Sequence, residues 1–350
     1  MRIAQIAPLF EAVPPKLYGG TERIVAYLTD ELVAMGHEVS LFASGDSETR
    51  AILEAGSPRA LRLDPTIRDA VAPLIVMLER LALRARDFDV IHLHCDYLAY
   101  PVLRRAGVPF LATLHGRLDL PELKPLYETF SDVPVVSISN AQREPLPQAS
   151  YLATVHHGLP ERLLLPGTGN GGYLAFLGRI SPEKAPDRAI RIAARAGMRL
   201  KIAAKIDNAD RSYFKSEIEP LLAQPVEFIG EIGEHQKAEF LGNAAGLLFP
   251  IAWPEPFGLV MIEAMACGTP VIAIRSGSVA EVIDDGVTGF VVKDETAAVS
   301  AAESLDTLDR AEIRAVFERR FTARRMAEDY TRLYQRLTYR RAGGPSGLPR

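Results

Sequence analysis

Cysteine is scarce in this 350-residue chain. Cys95 and Cys267 are the only two, too few for a disulfide framework, and a reduced, cytoplasmic protein is the expectation. No apolar run reaches the roughly 18 residues that a membrane-spanning helix needs, so none is expected. An excess of one charge is missing as well. Lys and Arg number 40 against 44 Asp and Glu, a net charge of −4, which gives no overall electrostatic reason to bind nucleic acid. The opening MRIAQIAPLF carries one basic residue and runs straight into strand-like sequence, unlike a signal peptide. A G-x-G-x-x-G turn after the first strand is also lacking. The chain has IAPLFEAVPPKLYGG there, which argues against a nicotinamide-dependent dehydrogenase.

What is present is ordinary globular material, 48% hydrophobic and 24% charged. Its length suggests two domains of roughly 100–200 residues each. Short apolar runs alternate with helical patterns. Met1–Ala7 reads as a buried strand, followed by an irregular loop, Pro8–Gly20. A helix over Thr21–Met35 carries Ile24, Val25, Leu28 and Leu32 on one face, with Thr21 as N-cap and Gly36 as stop. Strands are expected at His37–Ala43, Val90–Leu93, Phe110–Leu114 and Val135–Ser139. LPERLLLPGTGNGG, at Leu159–Gly172, reads as a linker.

A second alternation follows, with strands at Tyr173–Leu177, Leu200–Ala204, Val226–Ile229, Gly246–Phe249 and Val271–Ile274. Its helices are expected at Ala185–Ala196, Tyr213–Leu222 and Gln236–Asn243, and from about Leu259. The order strand-helix-strand implies parallel sheets covered on both faces. Two α/β domains, 1–160 and 171–325, would then face each other across a cleft at the carboxyl ends of their strands, where such sheets bind ligands. A helix at 326–341 and a frayed tail at 342–350 would follow. Arginine is dense in Ala311–Arg341, from Arg314 to Arg341. That reads first as a solvated helix face, with weak contact to an anionic membrane surface as the sharper alternative.

Chemistry concentrates in two strings. The stronger runs from Trp253 through Pro254, Glu255, Pro256, Phe257, Gly258, Leu259 and Glu263 to Val271. Prolines and a glycine shape the loop after one strand, and a helix then begins near Leu259. The amides of Phe257, Gly258 and Leu259 therefore open a helix N-terminus, which suits an anion. Glu255 lies ahead of that anion site and Glu263 about a turn into the helix. Carboxylates accept hydrogen bonds from sugar hydroxyls and repel phosphate. A diphosphate with a sugar on each side, a nucleotide sugar, suits the layout. The second string, Gly178-Arg179-Ile180-Ser181-Pro182-Glu183-Lys184, places two cations on a loop at a strand end, where they can clamp phosphate oxygens.

These strings resemble the retaining glycosyltransferases of family 4. The resemblance rests on the E-x₇-E spacing of EPFGLVMIE, the GRISPEK loop, the GGTE turn at Gly19–Glu22 and the strand end Thr113-Leu114-His115-Gly116. It runs from Arg2 to about Val292. It implies a GT-B fold, two Rossmann-like domains with the donor held mainly by the second and a C-terminal helix crossing back to the first. It also implies that Arg179 and Lys184 hold the donor diphosphate, that Glu255 binds the transferred sugar, and that Glu263 binds the ribose. Backbone at Phe257, Gly258 and Leu259 would serve sugar and phosphate, and Glu231 with Ile232 would lie against the base. Gly19 and Gly20 would approach the diphosphate from the first domain, and His115 would stand near the C6 end of the sugar. Ala185 departs from the relatives, which often have Gly there.

The implied reaction retains configuration by front-face attack, the departing diphosphate taking the acceptor's proton, with neither cofactor nor metal. The wording also resembles bacterial UDP-glucose-dependent transferases, including pterin glucosyltransferases. UDP-glucose is thus the first donor to consider, and the acceptor carries no readable code. The acceptor loops would be Leu9–Tyr18 and Leu118–Thr129. A sugar phosphorylase or epimerase of the same architecture, or an idle partner subunit of another transferase, stand as alternatives. Retention of Arg179, Lys184, Glu255 and Glu263 together argues against the idle partner.

Two further patterns are set aside. Asp87-Phe88-Asp89 matches the D-x-D used for Mn²⁺ by transferases of another fold, but it precedes a strand and reads as punctuation. His92 and His94 share one face of a strand, yet nothing completes a metal site around them, and they read as satisfied core or cleft-edge histidines. His156 and His157, before the linker, read as structural or cleft-lining.

Overall fold

A computed structural model describes every residue except Leu17, Tyr18, Asp96, Gln224 and 342–350, together with the side chains of Arg340 and Arg341. The tail expected to fray, and the Leu17–Tyr18 end of the first acceptor loop, lie outside the described residues. The chain forms two compact units. One comprises Met1–Ile138, Arg143–Gly158 and the chain from Ala323 onward, and the other comprises Ser139–Gln142 and Leu159–Thr322.

The first unit holds seven parallel strands: β1 (Arg2–Ile6), β2 (Glu38–Ser44), β3 (Ile52–Ser57), β4 (Val90–Leu93), β5 (Phe110–Leu114), β6 (Val135–Ser137) and β7 (Tyr151–Thr154). Their order is β3-β2-β1-β4-β5-β6-β7. The order reverses between β1 and β4, so the crevice for a ligand opens at the carboxyl ends of these two strands. Helices α1 (Gly20–Ala34), α2 (Val71–Leu83), α3 (Tyr100–Ala106) and α4 (Leu123–Thr129) belong to this unit. The central strands are buried on both faces because helices cover both. Ile6, Ile91 and Leu93 pack against α2 on one side, while Ala7 and Leu41 meet Val25 of α1 on the other.

The second unit has six parallel strands: β8 (Tyr173–Arg179), β9 (Arg199–Lys205), β10 (Val226–Gly230), β11 (Gly246–Phe249), β12 (Val271–Ile274) and β13 (Gly289–Val292), in the order β10-β9-β8-β11-β12-β13. Its reversal lies between β8 and β11. Its helices are α5 (Pro186–Arg195), a single turn α6 (Arg211–Tyr213), α7 (Glu234–Gly242), α8 (Leu259–Ala266), α9 (Val279–Val282), α10 (Glu295–Ala302) and α11 (Arg310–Arg320). The last helix, α12 (Ala323–Arg341), packs on α1 and β4 and belongs to the first unit. No helix among the described residues is long and apolar enough to cross a membrane.

Several local expectations change. Helix α1 starts at Gly20, so Thr21 lies inside it. Gly19 holds the cap position with backbone alone, its carbonyl accepting from the Arg23 amide at 3.2 Å. The helix expected over Tyr213–Leu222 is one α turn followed by π and 3-10 turns as far as Leu221. The tail, which reads as mostly helix over Ala311–Arg341, is divided at Phe321-Thr322 into α11 and α12. There the Phe321 side chain is fully buried and its carbonyl accepts from the Leu159 amide at 2.9 Å, so the chain turns before α12 begins. Most tail arginines already have partners. Arg314 holds the Leu164 and Ala266 carbonyls, Arg320 pairs with Asp284, and Arg325 pairs with Asp329 and holds the His156 and His157 carbonyls.

Candidate active site

The crevice of the second unit is walled by the loop after β8 and the loop after β11. The first loop is GRISPEK. It turns back through Ala185, whose φ of 51° is in the left-handed region, the one such non-glycine residue among those described. The Lys184 and Ala185 amides both donate to the Ser181 carbonyl at 3.1 Å, closing the loop before Pro186 starts α5. A residue with a Cβ in that conformation costs about 1 kcal/mol, which explains physically why glycine suits the position.

The second loop, Trp253–Gly258, is held from beneath. The Ser278 amide donates to the Glu255 carbonyl at 3.0 Å and its hydroxyl to the Phe257 carbonyl at 2.8 Å. Ser276 donates to the Trp253 carbonyl at 2.7 Å, and Ser139 to that of Pro256 at 2.6 Å. Gly277 makes this approach possible, because a Cβ there would stand 2.3 Å from the Glu255 carbonyl oxygen. Gly258, at φ 79°, caps α8, and a Cβ on it would meet Met261 at 2.8 Å and Phe249 at 3.0 Å. The Phe257 side chain is core, packed edge-on to Phe321. The string's contribution at Phe257, Gly258 and Leu259 is therefore backbone, at the start of a helix whose first amides lack intrahelical acceptors.

The two loops meet through charge. The Lys184 ammonium pairs with the Glu255 carboxylate, which also accepts from the Trp253 indole at 2.9 Å, and the ammonium lies 5.6 Å from the Trp253 ring centre. Arg179 pairs with Glu183 at 3.1 Å and lies more loosely, at 3.8 Å, from Asp207 and Asp210. Glu263 is buried, and Lys237 on α7 donates to it at 2.9 Å and to Glu234 at 3.3 Å. Three cations are thus held at the carboxyl end of one sheet, each against a carboxylate. An incoming dianion can take over the cations, while Glu255 and Glu263 keep lone pairs for hydroxyl donors. Glu231 and Ile232 follow β10 at the same, carboxyl end of the sheet, with Glu231 exposed.

In the first unit, Gly19 and Gly20 open α1 after β1, and His115 follows β5. Glu22, in that first turn, is buried, and burial, with Glu11 nearby, raises its carboxyl pKa. His115 Nε2 is 2.9 Å from His94 Nδ1, and its ring stacks on His157 with centres 5.3 Å apart. Burial pushes the His115 imidazole down to about 3, so it is a neutral group. His92 and His94 are core residues with partners on both ring nitrogens. Asp87 and Asp89 stand at the amino end of β4, paired with Arg84 and Arg2. Cys95 and Cys267 are buried and form no disulfide among the described residues, one in each unit.

Of the four charged residues that sequence reasoning singled out in the two strings, the fold joins Lys184 to Glu255, while Arg179 pairs with Glu183 and Glu263 with Lys237. Sequence reasoning missed Lys237, the partner of Glu263, and the Ser276-Gly277-Ser278 support. Lys237 sits on a helix of mixed charge that reads as surface. The S-G-S string after β12 was the available signal, a glycine flanked by hydroxyls at a strand's carboxyl end.

Two parallel doubly wound sheets, with a cation-lined crevice at the reversal of one of them, form the GT-B architecture. The family model for glycosyl transferases group 1 matches residues 167–322, and that for glycosyltransferase family 4 matches residues 18–163. The chain belongs to the family 4 glycosyltransferases. A D-inositol 3-phosphate glycosyltransferase of Frankia alni is 28% identical over 83% of this chain and 85% of its own length. A glycosyltransferase involved in avilamycin A biosynthesis shares the fold with a TM-score of 0.74 and 25% identity, covering 97% of this chain and 98% of that one. An Anabaena protein, HepE, solved with UDP and glucose, matches with a TM-score of 0.73 at 18% identity over 96% and 99% of the two chains.

Proposed function

We propose that this protein transfers a hexose, with UDP-glucose as first donor, from a nucleotide sugar to a hydroxyl acceptor with retention of configuration and without a metal. The observation that carries the reading is the Lys184–Glu255 pair that joins the loops after β8 and β11, with Arg179 at the end of β8. There, positive groups and the α8 amides can meet the charge that grows on a departing diphosphate. The bond from the anomeric carbon to the diphosphate breaks as the acceptor oxygen attacks from the same face, and the acceptor's proton passes to the departing phosphate oxygen. Glu255 orients the sugar, and Glu263, positioned by Lys237, takes the ribose hydroxyls. The bound UDP and glucose of the Anabaena neighbour support the choice of donor. The Frankia relative's name makes inositol 3-phosphate the first acceptor to try. The pterin, phosphorylase and epimerase readings gain no specific support from the crevice.

The test is UDP or GDP release from UDP-glucose, UDP-galactose, UDP-N-acetylglucosamine and GDP-mannose with EDTA present, beside Glu255→Ala. Slow hydrolysis of one donor, lost in the variant, is the expected result. Absence of both release and binding for every sugar nucleotide would refute the reading.

A further inference from the structure

Behind His115 in the first unit runs a chain of hydrogen bonds that the reaction as proposed does not use. Gln5 on β1 is fully buried. Its Oε1 stands 2.7 Å from His94 Nε2, and its Nε2 donates to the Tyr334 hydroxyl of α12 at 3.1 Å. The orientation of this one amide fixes every link that follows. An amide oxygen only accepts, so His94 Nε2 carries the hydrogen and His94 Nδ1 is an acceptor. The hydrogen in the 2.9 Å contact between the two rings therefore belongs to His115 Nε2. His115 Nδ1 is left as a lone pair, shielded from solvent and without a hydrogen-bond partner among the described residues.

In the other direction, Tyr334 accepts from Gln5, so its own hydrogen goes to His92 Nδ1 at 2.7 Å. His92 Nε2 then donates to Thr113 Oγ1, also at 2.7 Å. The rings remain neutral because they are buried. Burial lowers all three pKa values, and repulsion from neighbouring histidines adds to this for His92 and His94.

We infer that Gln5, His94 and Tyr334 are positioning residues that hold His115 in its Nε2–H tautomer, so that Nδ1 presents an acceptor to a substrate hydroxyl. A donor at that atom would face the hydroxyl's oxygen instead, and a cation would seek phosphate. The C-terminal helix thereby reaches the chain through two hydroxyls, that of Tyr334 beside Gln5 and His92 and that of Tyr330, 2.7 Å from Thr113 Oγ1. The identity of the ligand rests on the transferase reading. The tautomer does not.

The test uses the full chain with ¹⁵N-labelled histidine at pH 7.5, each ring assigned by single replacement, and long-range proton–nitrogen spectra that report which ring nitrogen is protonated. His92, His94 and His115 are expected as neutral Nε2–H rings. Gln5→Leu removes the acceptor that orients His94, and His115 is expected to gain the Nδ1–H form. Loss of one hydrogen bond to the substrate then lowers hydrolysis of UDP-glucose about tenfold, while the Kd for UDP alone is unchanged. Tyr334→Phe, a milder change, reads the chain from its other end, where His92 Nδ1 should lose its donor. A wild-type His115 that is protonated on Nδ1 or on both nitrogens overturns the inference. So does a His115 tautomer that ignores Gln5→Leu, or, where that variant fails to fold, a His92 unmoved by Tyr334→Phe. Should no sugar nucleotide bind, the transferase reading falls and the spectra still decide the tautomer.

Discussion

The two units keep polar groups at the carboxyl ends of their sheets in opposite ways. The second unit uses full charges, with Lys184 against Glu255, Arg179 against Glu183 and Lys237 against Glu263. The first uses neutral rings, amides and hydroxyls joined end to end, from His115 through His94 and Gln5 to Tyr334, His92 and Thr113. Paired charges can be exchanged for a charged ligand with modest rearrangement. A buried neutral chain cannot exchange partners cheaply, because each atom without its mate costs about 1–3 kcal/mol. The second unit's pairs therefore suit exchange with a charged ligand, and the first unit's chain holds one geometry.

The largest effects should come from the charged side of this contrast. Glu255→Ala and Lys184→Ala are expected to lower donor turnover about a hundredfold or more while the protein stays folded, since groups aimed at developing charge carry about 3–4 kcal/mol each. UDP release and a urea melt of each variant check this, and wild-type rates would remove the assignment.

Acid should break the comparison from the neutral side. A histidine whose folded pKa is lowered binds its proton more readily when unfolded. Stability is therefore complete above the unfolded value near 6.5 and falls as the pH drops below it, for His115 down to about 3. Each buried histidine of the network then removes up to about 1.4 kcal/mol per pH unit below 6.5. Hydrogen exchange at pH 7.5 and 5 is expected to show the β4 and β5 amides losing far more protection than those of β8 and β11. Equal losses would mean that the rings are already charged at neutral pH.

Much of the charged candidate site was legible beforehand because its parts are local. The strings Gly178–Lys184 and Trp253–Glu263 each lie within one loop and the helix start after it, so spacing alone orders them along the chain. Lys237 was not legible, being 26 residues from the Glu263 it holds. Its role is testable. Lys237→Met should weaken UDP binding about tenfold, the worth of one charge-assisted hydrogen bond, measured by calorimetry with little change in turnover at saturation.

The smallest effect concerns the bend at Ala185 that closes the Gly178–Lys184 loop. Ala185→Gly should relieve the left-handed strain and raise stability by up to about 1 kcal/mol, less whatever glycine's added freedom in the unfolded chain removes. Thermal melts would show it, and turnover should stay at the wild-type level.

The strands that escaped the sequence share a position as well. β3, β7 and β13 all stand at sheet edges. Half-exposed runs such as ILEAGS and YLAT need not be continuously apolar, so they lack the signal that marks β1 or β4. The inner strands, buried on both faces, announce themselves.

The amino-acid sequence alone determined the alternation of strands and helices, the division near residue 160 and the two loops that carry charge, because each depends on neighbours a few positions apart. Only the tertiary structure decided which carboxylate each cation holds, and that histidines and tyrosines far apart in sequence form one chain. Gln5 and His94 are 89 positions apart, and His92 and Tyr334 are 242 apart. Hydrogen-bond partners at such separations are chosen by strand order and helix packing, which no local spacing encodes.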